Sequence, residues 1–157
     1  SKKGLKESFL FSIIILILTI IFFFVFSKFL TYILGVAIKS KNSEMILHSL
    51  KYTKFTVFIS VFTGPMFEEI VYRKILFGYL YDLHSGCNRF VRLITSLLGS
   101  VIIFGAIHDG VLSSGMIYYV IAGISFTIVY FYTKRISAAI AIHFLYNICV
   151  RLIRTII

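Results

Sequence analysis

The chain has 157 residues, of which 59% are hydrophobic and only 14% are charged. Soluble domains carry about a quarter charged residues, and one small core cannot hide this much apolar surface, so the composition excludes a soluble protein and predicts an integral membrane protein. The net charge of +10 does not indicate nucleic-acid binding, because the basic residues occur in pairs between apolar runs, where they bracket spans and meet anionic lipid headgroups.

Five apolar runs, separated by polar segments, predict an all-α fold, a polytopic transmembrane helix bundle. An apolar run of about 20 residues is long enough to cross the bilayer as a helix. The polar segment 39–54 follows the first run, and its apolar spacing is typical of a short amphipathic helix at the interface. The predicted spans are 8–37, 55–81, 93–108, 115–133 and 136–153, within a single transmembrane domain of residues 1–157.

Three further features of the sequence bear on the fold. Pro65 is the only proline, and it is predicted to kink or restart the second span because proline removes a helical hydrogen bond. Cys87 and Cys149 have no metal-site spacing and are expected to be free thiols. Seven basic residues flank the spans on one side and six on the other, which leaves the orientation open. Because the chain begins without methionine, a processed product or a segment of a longer protein is expected.

Polar side chains that are costly in lipid are concentrated in three of the spans. An ionisable group inside a span costs about 2.5–3.5 kcal/mol on insertion scales, so it indicates function by default, although polar residues also hold helices together. Glu69 and Arg73 are four residues apart on one helix face, which predicts an ion pair. Glu68 is rotated by about 100° from Glu69, so one carboxylate is expected to be paired and the other to face a cavity. The full set is Glu68, Glu69 and Arg73, then His108, then His143 and Asn147.

These residues form three motifs in apolar helices, Glu68-Glu69-x-x-x-Arg73, Phe104-x-x-x-His108 and His143-x-x-x-Asn147. In this order the motifs resemble the CAAX protease and bacteriocin-processing family (CPBP, or Abi) of intramembrane endopeptidases. The resemblance covers residues 65–147, about half of the chain, and implies a CPBP-like catalytic core over residues 55–153. Three ordered motifs are much more specific than the first motif alone.

The resemblance also implies a role for each motif residue. Glu68 and His108 would activate the attacking water, as a positioned acid–base pair can. His143 and Asn147 would stabilise the oxyanion that forms on the scissile carbonyl. The residues that would hold the geometry of the site without reacting are Glu69, Arg73 and Phe104.

The cofactor is left open between none and zinc. Glu68, His108 and His143 could supply three zinc ligands and leave a fourth position open. The absence of an HExxH motif, and a non-metal role for every residue including Asn147, favour a metal-free glutamate mechanism by about two to one. No cofactor is therefore expected, and zinc is the alternative.

The predicted function is hydrolysis of a peptide bond in a membrane-associated peptide or protein tail, such as a bacteriocin or signalling-peptide precursor. This substrate class follows from the resemblance, and the expected partners are that substrate and lipid. A Phe- and Lys-rich, Trp-free composition is typical of a low-GC bacterium, so the expected location is the bacterial cytoplasmic membrane. The alternatives are a non-catalytic protein of the same fold, acting in bacteriocin immunity or as a scaffold, and a small transporter, which the lack of an internal repeat argues against. The oligomeric state stays open.

Overall fold

The structure, a computed structural model, describes residues 3–35, 40–50 and 54–156, and this part of the chain folds into six helices without any strand. The end of the first predicted span, at residue 37, and the basic residues Lys2, Lys39 and Lys51 lie outside the described residues. The helices are α1 (Leu5–Leu34), α2 (Lys41–Leu50), α3 (the consecutive segments Lys54–Phe58, Ile59–Thr63, Gly64–Glu69, Ile70–Phe77 and Gly78–Leu83), α4 (Arg89–Asp109), α5 (Met116–Thr133) and α6 (Ile136–Ile156).

α1 is a regular helix with one polar stripe against the bundle and apolar side chains elsewhere. Phe9, Phe22 and Phe29 are more than half exposed, which suits a lipid-facing surface because lipid is as apolar as the side chains themselves. The helix ends at Gly35, whose φ of 63° is left-handed and whose N–H donates to Thr31 O at 3.0 Å. The buried stripe consists of Ser8, Ser12, Leu16 and Thr19.

α3 differs from α1 because two of its segments, Ile59–Thr63 and Ile70–Phe77, are π-helical. The backbone stays helical through Pro65, and a new α-helical segment begins at Gly64 with Pro65 in its first turn, so the predicted restart of the helix at this residue is confirmed. A π segment directly before the proline explains why the backbone stays helical: the Gly64 N–H donates to Ile59 O, five residues back, and the widened turn accommodates a residue that cannot donate. The helix therefore adjusts its hydrogen bonding around Pro65 instead of breaking.

α5 lies at the centre of the bundle and packs against α1, α4 and α6. The apolar core between these helices contains Leu16, Ala122, Phe126, Val129, Ile142 and Tyr146. Small residues let the backbones approach, as is common in membrane bundles. At Gly123 an added Cβ would lie 3.2 Å from Val101 and 3.3 Å from Arg73, and at Gly105 it would lie 3.0 Å from Met116. Gly105 and Gly123 thus permit close contact between the helices.

Among the residues that the structure describes, four helices are long and apolar enough to cross a membrane, namely Leu5–Ile33, Arg89–Asp109, Met116–Thr133 and Ile136–Ile153. They confirm the prediction of a polytopic, all-α integral membrane protein. α3 covers the second predicted span, 55–81, but π segments divide it and charged residues lie near its middle, so its crossing of the membrane stays a prediction. The interfacial helix expected within 39–54 is α2. Cys87 and Cys149 are both free thiols, as expected.

Candidate active site

The two adjacent glutamates of α3 point into different surroundings. The side chain of Glu68 is 28% exposed and lines a cavity, whereas that of Glu69 is fully buried. Glu69 Oε2 lies 3.1 Å from Arg73 Nε, so the ion pair expected from the i,i+4 spacing is present. One carboxylate is therefore neutralised inside the bundle, and the other is available to the cavity.

The buried Arg73 guanidinium is enclosed by aromatic rings and one backbone carbonyl. Its Nη2 donates to Gly123 O at 3.3 Å, and its Cζ lies 4.5 Å from the Phe104 ring centroid and 5.4 Å from that of Phe126. Ring faces attract a cation, and the desolvated setting strengthens this attraction. The guanidinium thus connects α3 to α4 and α5 directly behind the cavity.

His108 stands at the end of α4, held between two rings. The Phe104 ring centroid lies 4.3 Å from that of His108, and the Tyr119 ring stacks on the imidazole at 4.8 Å. His108 Nδ1 lies 2.8 Å from Phe104 O. Because a carbonyl can only accept, Nδ1 carries the hydrogen and Nε2 faces away from α4. The imidazole is therefore fixed in both position and tautomer.

His143 on α6 is fixed in a similar way. Its ring stacks on Phe126 with a centroid distance of 4.3 Å, and its Nδ1 lies 2.8 Å from Glu69 Oε1. Since Glu69 is already paired with Arg73, its oxygen accepts and Nδ1 donates. Glu69 therefore links the guanidinium on one side to the imidazole on the other.

The consequence is that both histidines direct Nε2 at one carboxylate. Nε2 of His108 lies 3.5 Å from Glu68 Oε1, and Nε2 of His143 lies 3.6 Å from Glu68 Oε2. Both separations exceed ordinary hydrogen-bond length, so the three groups surround a common spot without sealing it. They face a cavity of about 260 Å³ lined by Asn42, Ser43, Ile46, Ser60, Glu68, Phe104, His108, Tyr119, His143, Asn147, Val150 and Arg151.

Asn147 is oriented by the π segment of α3. In a regular α-helix the Ser60 carbonyl would accept from the N–H of Gly64. In a π-helix it would accept from the N–H of residue 65. The Gly64 N–H donates to Ile59 O instead, and Pro65 has no N–H. The Ser60 carbonyl instead accepts a hydrogen bond from Asn147 Nδ2 at 3.2 Å. Because that carbonyl only accepts, the amide must turn its NH₂ group towards α3.

The short helix α2 covers one side of the cavity, and Asp109 attaches the start of α2 to the end of α4. Asp109 Oδ1 accepts from Ser40 Oγ at 2.8 Å and from the Asn42 backbone N at 3.2 Å, while Oδ2 accepts from Ser113 Oγ at 2.7 Å. An added Cβ at Gly115 would lie 2.7 Å from Ser40 Cα and would collide with Asp109. The carboxylate of Asp109, which follows His108, is thus the point at which α2 is attached.

The donor types at this site are ones that zinc commonly binds. Glu68 and two imidazoles are common zinc ligands, and both Nδ1 atoms donate to oxygen, as in many zinc-bound histidines. However, no group of three or more His, Cys, Asp or Glu side chains is arranged to hold a metal ion in the part of the chain that the structure describes. No step is therefore derived through a metal.

All seven residues named from the sequence motifs meet around this one cavity or directly behind it. Sequence reasoning missed three that join them there, because the signals are weak in a single sequence. Arg151 continues the spacing of His143 and Asn147 by another four residues, but a basic residue near the end of a span is also typical of the charges that bracket membrane helices. Tyrosines are common in packing and at the membrane interface, so Tyr119 does not stand out in the sequence. Ser60 carried no visible signal, since its contribution depends on a π segment.

Comparison with known proteins places the chain in a family. Residues 50–149 match the family described as type II CAAX prenyl endopeptidase, Rce1-like. The chain is 33% identical over 116 residues to "Putative membrane peptidase YdiL" of Bacillus subtilis (strain 168), an alignment that covers 74% of this chain and 44% of the relative. It is 36% identical over 131 residues to "Membrane-embedded CAAX protease MroQ" of Staphylococcus aureus (strain USA300), with 83% and 51% covered.

The chain thus spans about half the length of the curated relatives it matches. No solved structure matches it significantly. The family match and both relatives agree with the CPBP resemblance drawn from the three motifs, which is confirmed. The chain belongs to the Rce1-like family of type II CAAX prenyl endopeptidases.

Proposed function

We propose that the chain is an intramembrane endopeptidase that hydrolyses a peptide bond in a membrane-associated peptide or protein tail. Glu68 and His108 activate the attacking water, and His143 with Asn147 stabilises the oxyanion. The observation that carries the proposal is the convergence of both imidazole Nε2 atoms on the two oxygens of Glu68, at 3.5 and 3.6 Å, inside one cavity. Such a convergence of acid–base groups around a reachable spot is the geometry that proton transfer requires.

The charged groups at the site balance one another. Glu69 pairs with Arg73 behind the cavity, and Glu68 and Arg151 both line it. A net charge inside a membrane bundle is costly. Glu68 is the carboxylate of the lining and the group proposed to accept a proton from water.

The proposed reaction moves one proton of the attacking water in two transfers. Glu68, oriented by His108, takes a proton from water as the water oxygen bonds to the scissile carbonyl carbon. The oxyanion then accepts hydrogen bonds from the Asn147 amide and from protonated His143. Collapse breaks the C–N bond, and the proton that Glu68 took from water passes to the leaving nitrogen. Water is consumed, two peptides are formed, and the site returns to its original protonation state.

Glu69, Arg73 and Phe104 position the reacting groups in this proposal. Glu69 receives the Nδ1 hydrogen of His143 at 2.8 Å, which favours an imidazole whose Nε2 faces the substrate. The same arrangement occurs where a carboxylate orients a catalytic histidine in other hydrolases. Arg73 holds the Glu69 carboxylate in place through the 3.1 Å contact between Arg73 Nε and Glu69 Oε2.

The test compares the native protein with Glu68→Gln in host cells, by mass spectrometry of membrane-associated and secreted peptides. The amide is nearly the same size as the carboxylate and cannot accept the proton, so we expect specific peptides to lose a defined cut. Glu7→Gln is the matched control, because Glu7 is about half exposed and pairs with Lys3 near the start of α1. Identical peptide profiles at equal protein levels, with the native phenotype kept, would favour the non-catalytic binding protein.

The metal-free mechanism is tested on the first substrate that this comparison identifies. We expect the purified protein to keep its activity after chelator treatment and dialysis. Loss of activity that added zinc restores would instead assign Glu68, His108 and His143 as metal ligands.

A further inference from the structure

Tyr119, near the start of α5, stands between the candidate site and the short helix that covers it. Its ring stacks on the His108 imidazole with a centroid distance of 4.8 Å and an interplanar angle of 26°. Its hydroxyl contacts Ser40 and Asn42, which flank the first residue of α2. Tyr119 also lines the cavity, and it has no role in the reaction proposed above.

The direction of the hydrogen bonds between Tyr119 and the start of α2 follows from the chemistry of the groups. A serine hydroxyl has one hydrogen, and Ser40 donates that hydrogen to Asp109 Oδ1 at 2.8 Å. In the 3.2 Å contact between Ser40 Oγ and Tyr119 Oη, the tyrosine is therefore the donor. Asn42 Nδ2 donates to the same tyrosine oxygen at 3.0 Å. The hydroxyl of Tyr119 thus has two partners at the start of α2.

The same contacts hold the first turn of α2 together. Ser40 Oγ accepts from the Ser43 N–H at 3.1 Å, which caps the helix, and Ser40 and Asp109 are only 3% and 5% exposed. A helix of ten residues is marginal by itself, whereas a buried and paired polar network favours one arrangement. The contacts with Tyr119 and Asp109 therefore stabilise α2 in its position over the cavity.

His108 depends on the same tyrosine for the orientation of its ring. The imidazole belongs to the last turn of α4, and its Nδ1 donates to Phe104 O at 2.8 Å. One hydrogen bond at Nδ1 does not by itself fix the tilt of the ring, so the rings of Phe104 and Tyr119 must hold Nε2 towards Glu68. Proton transfer requires a positioned partner, and displacement of Tyr119 would release one face of the imidazole.

We propose that Tyr119 is a positioning residue that couples the docking of α2 to the orientation of His108. The imidazole directs Nε2 at Glu68 while α2 is docked, and it loses this orientation when α2 is released. The inference rests on the proposed endopeptidase function. Its consequence is that the acid–base pair is complete only when the cavity is covered, as in enzymes whose lid completes the catalytic site.

The test is a double-substitution cycle of Asn42→Ala and Tyr119→Phe in lipid nanodiscs, and it needs no substrate. Both substitutions remove the bond between Asn42 and Tyr119, and both keep the aromatic ring that contacts His108. Hydrogen–deuterium exchange with mass spectrometry measures the protection of the α2 amides. NMR of isotope-labelled imidazole rings measures the tautomer of His108. His84 is the internal reference, because it follows α3 and its Nδ1 lies 2.7 Å from Leu80 O.

We expect Asn42→Ala to speed exchange of the α2 amides about fivefold, the factor that corresponds to one net hydrogen bond. Tyr119→Phe, which also loses the bond to Ser40, should speed it more. The double variant should exchange no faster than Tyr119→Phe, because the two residues act through one contact. In both single variants the His108 signals should shift from the Nδ1–H form towards a mixture of tautomers, while those of His84 stay unchanged.

Two matched controls separate this coupling from a general loosening of the bundle. Tyr118→Phe removes a hydroxyl that contacts Ser27 Oγ on α1 at 3.1 Å, in the same turn of α5. Lys41→Ala removes an exposed side chain from the first turn of α2. Neither control should alter the NMR signals of His108.

Four results would overturn the proposal: unchanged exchange of α2 in both single variants, unchanged His108 signals in Asn42→Ala, additive effects in the double variant, or an equal shift in Tyr118→Phe. The expected shifts in a native protein that cleaves no peptide would support the coupling and contradict the endopeptidase function. Cleavage that is lost in Asn42→Ala without a shift at His108 would contradict the coupling alone.

Discussion

The helices α1 and α3 have equal lengths but different roles in this bundle. α1 is a regular α-helix whose hydroxyls bond mostly within the helix, such as Ser12 Oγ to Ser8 O at 2.7 Å and Thr19 Oγ1 to Ile15 O at 2.7 Å. Such a helix satisfies its own backbone and offers its neighbours mainly packing. It supports the bundle, and none of its described side chains lines the cavity.

α3 instead offers backbone carbonyls to its neighbours. Each π segment presents one of them to a side chain on another helix: Ser60 O accepts from Asn147 on α6, and Tyr72 O accepts from Ser100 on α4 at 2.8 Å. In lipid, a carbonyl released from helical bonding must find another donor. The irregular helix thereby acquires fixed contacts to its neighbours, and π segments are frequent at functional sites for this reason. The site therefore depends on the positions at which the hydrogen bonding of α3 departs from that of a regular α-helix.

The largest expected effect concerns the charges inside α3. Arg73→Leu leaves Glu69 buried without its partner, and breaking a buried ion pair in this way costs about 3–5 kcal/mol. The unfolding free energy in detergent should fall by that amount. The matched control is Lys74→Leu, because Lys74 is the exposed neighbour on the same helix. An equal loss in both variants would mean that the ion pair contributes nothing specific.

A smaller effect is expected at Pro65, where a substitution should raise the stability of the protein and lower its activity. Pro65→Ala supplies an N–H that can bond to α3 itself, so the helix should gain up to about 3 kcal/mol. The new donor competes with Asn147 for the Ser60 carbonyl, so peptide cleavage should fall by about tenfold, the loss expected when an oxyanion donor is loosened. Thermal stability and cleavage rate are measured on the same preparation.

Gly78→Ala is the control for this pair of measurements. Gly78 lies in α3 with nothing within 4 Å of an added Cβ, so alanine should raise helix stability by about 1 kcal/mol without altering a donor. Unchanged activity is expected there. If Pro65→Ala is fully active, the position of Asn147 does not depend on the missing N–H.

The smallest effect is expected in α1. Thr19→Val removes the 2.6 Å bond from Thr19 to Ser125 on α5, and interhelical bonds of this kind contribute about 0.6 kcal/mol in membrane proteins. Cleavage activity should not change. Thr31→Val, which removes an exposed hydroxyl bonded to its own helix at Ser27 O, should cost less. A loss of activity in Thr19→Val would show that α1 shapes the site after all.

Much of this fold followed from the sequence, because apolar runs and helical spacing are local properties. The ion pair of Glu69 with Arg73 and the ring of Phe104 beneath His108 both follow from an i,i+4 spacing. The accommodation of Pro65 did not follow, since it depends on a π segment that shifts hydrogen bonds by one residue. The attachment of α2 by Asp109 also required the structure, because Ser40 and Asp109 meet only through tertiary packing.

The restraint on the two imidazole rings affects the activation entropy of the proposed reaction. His108 is confined between Phe104 and Tyr119, His143 stacks on Phe126, and each Nδ1 is tied to an oxygen. Their rotational freedom is therefore lost once, when the chain folds, and not again in each catalytic cycle. The entropic part of the activation barrier then comes from ordering the peptide and the water, so preordering the peptide should speed the reaction more than any further restraint on the rings.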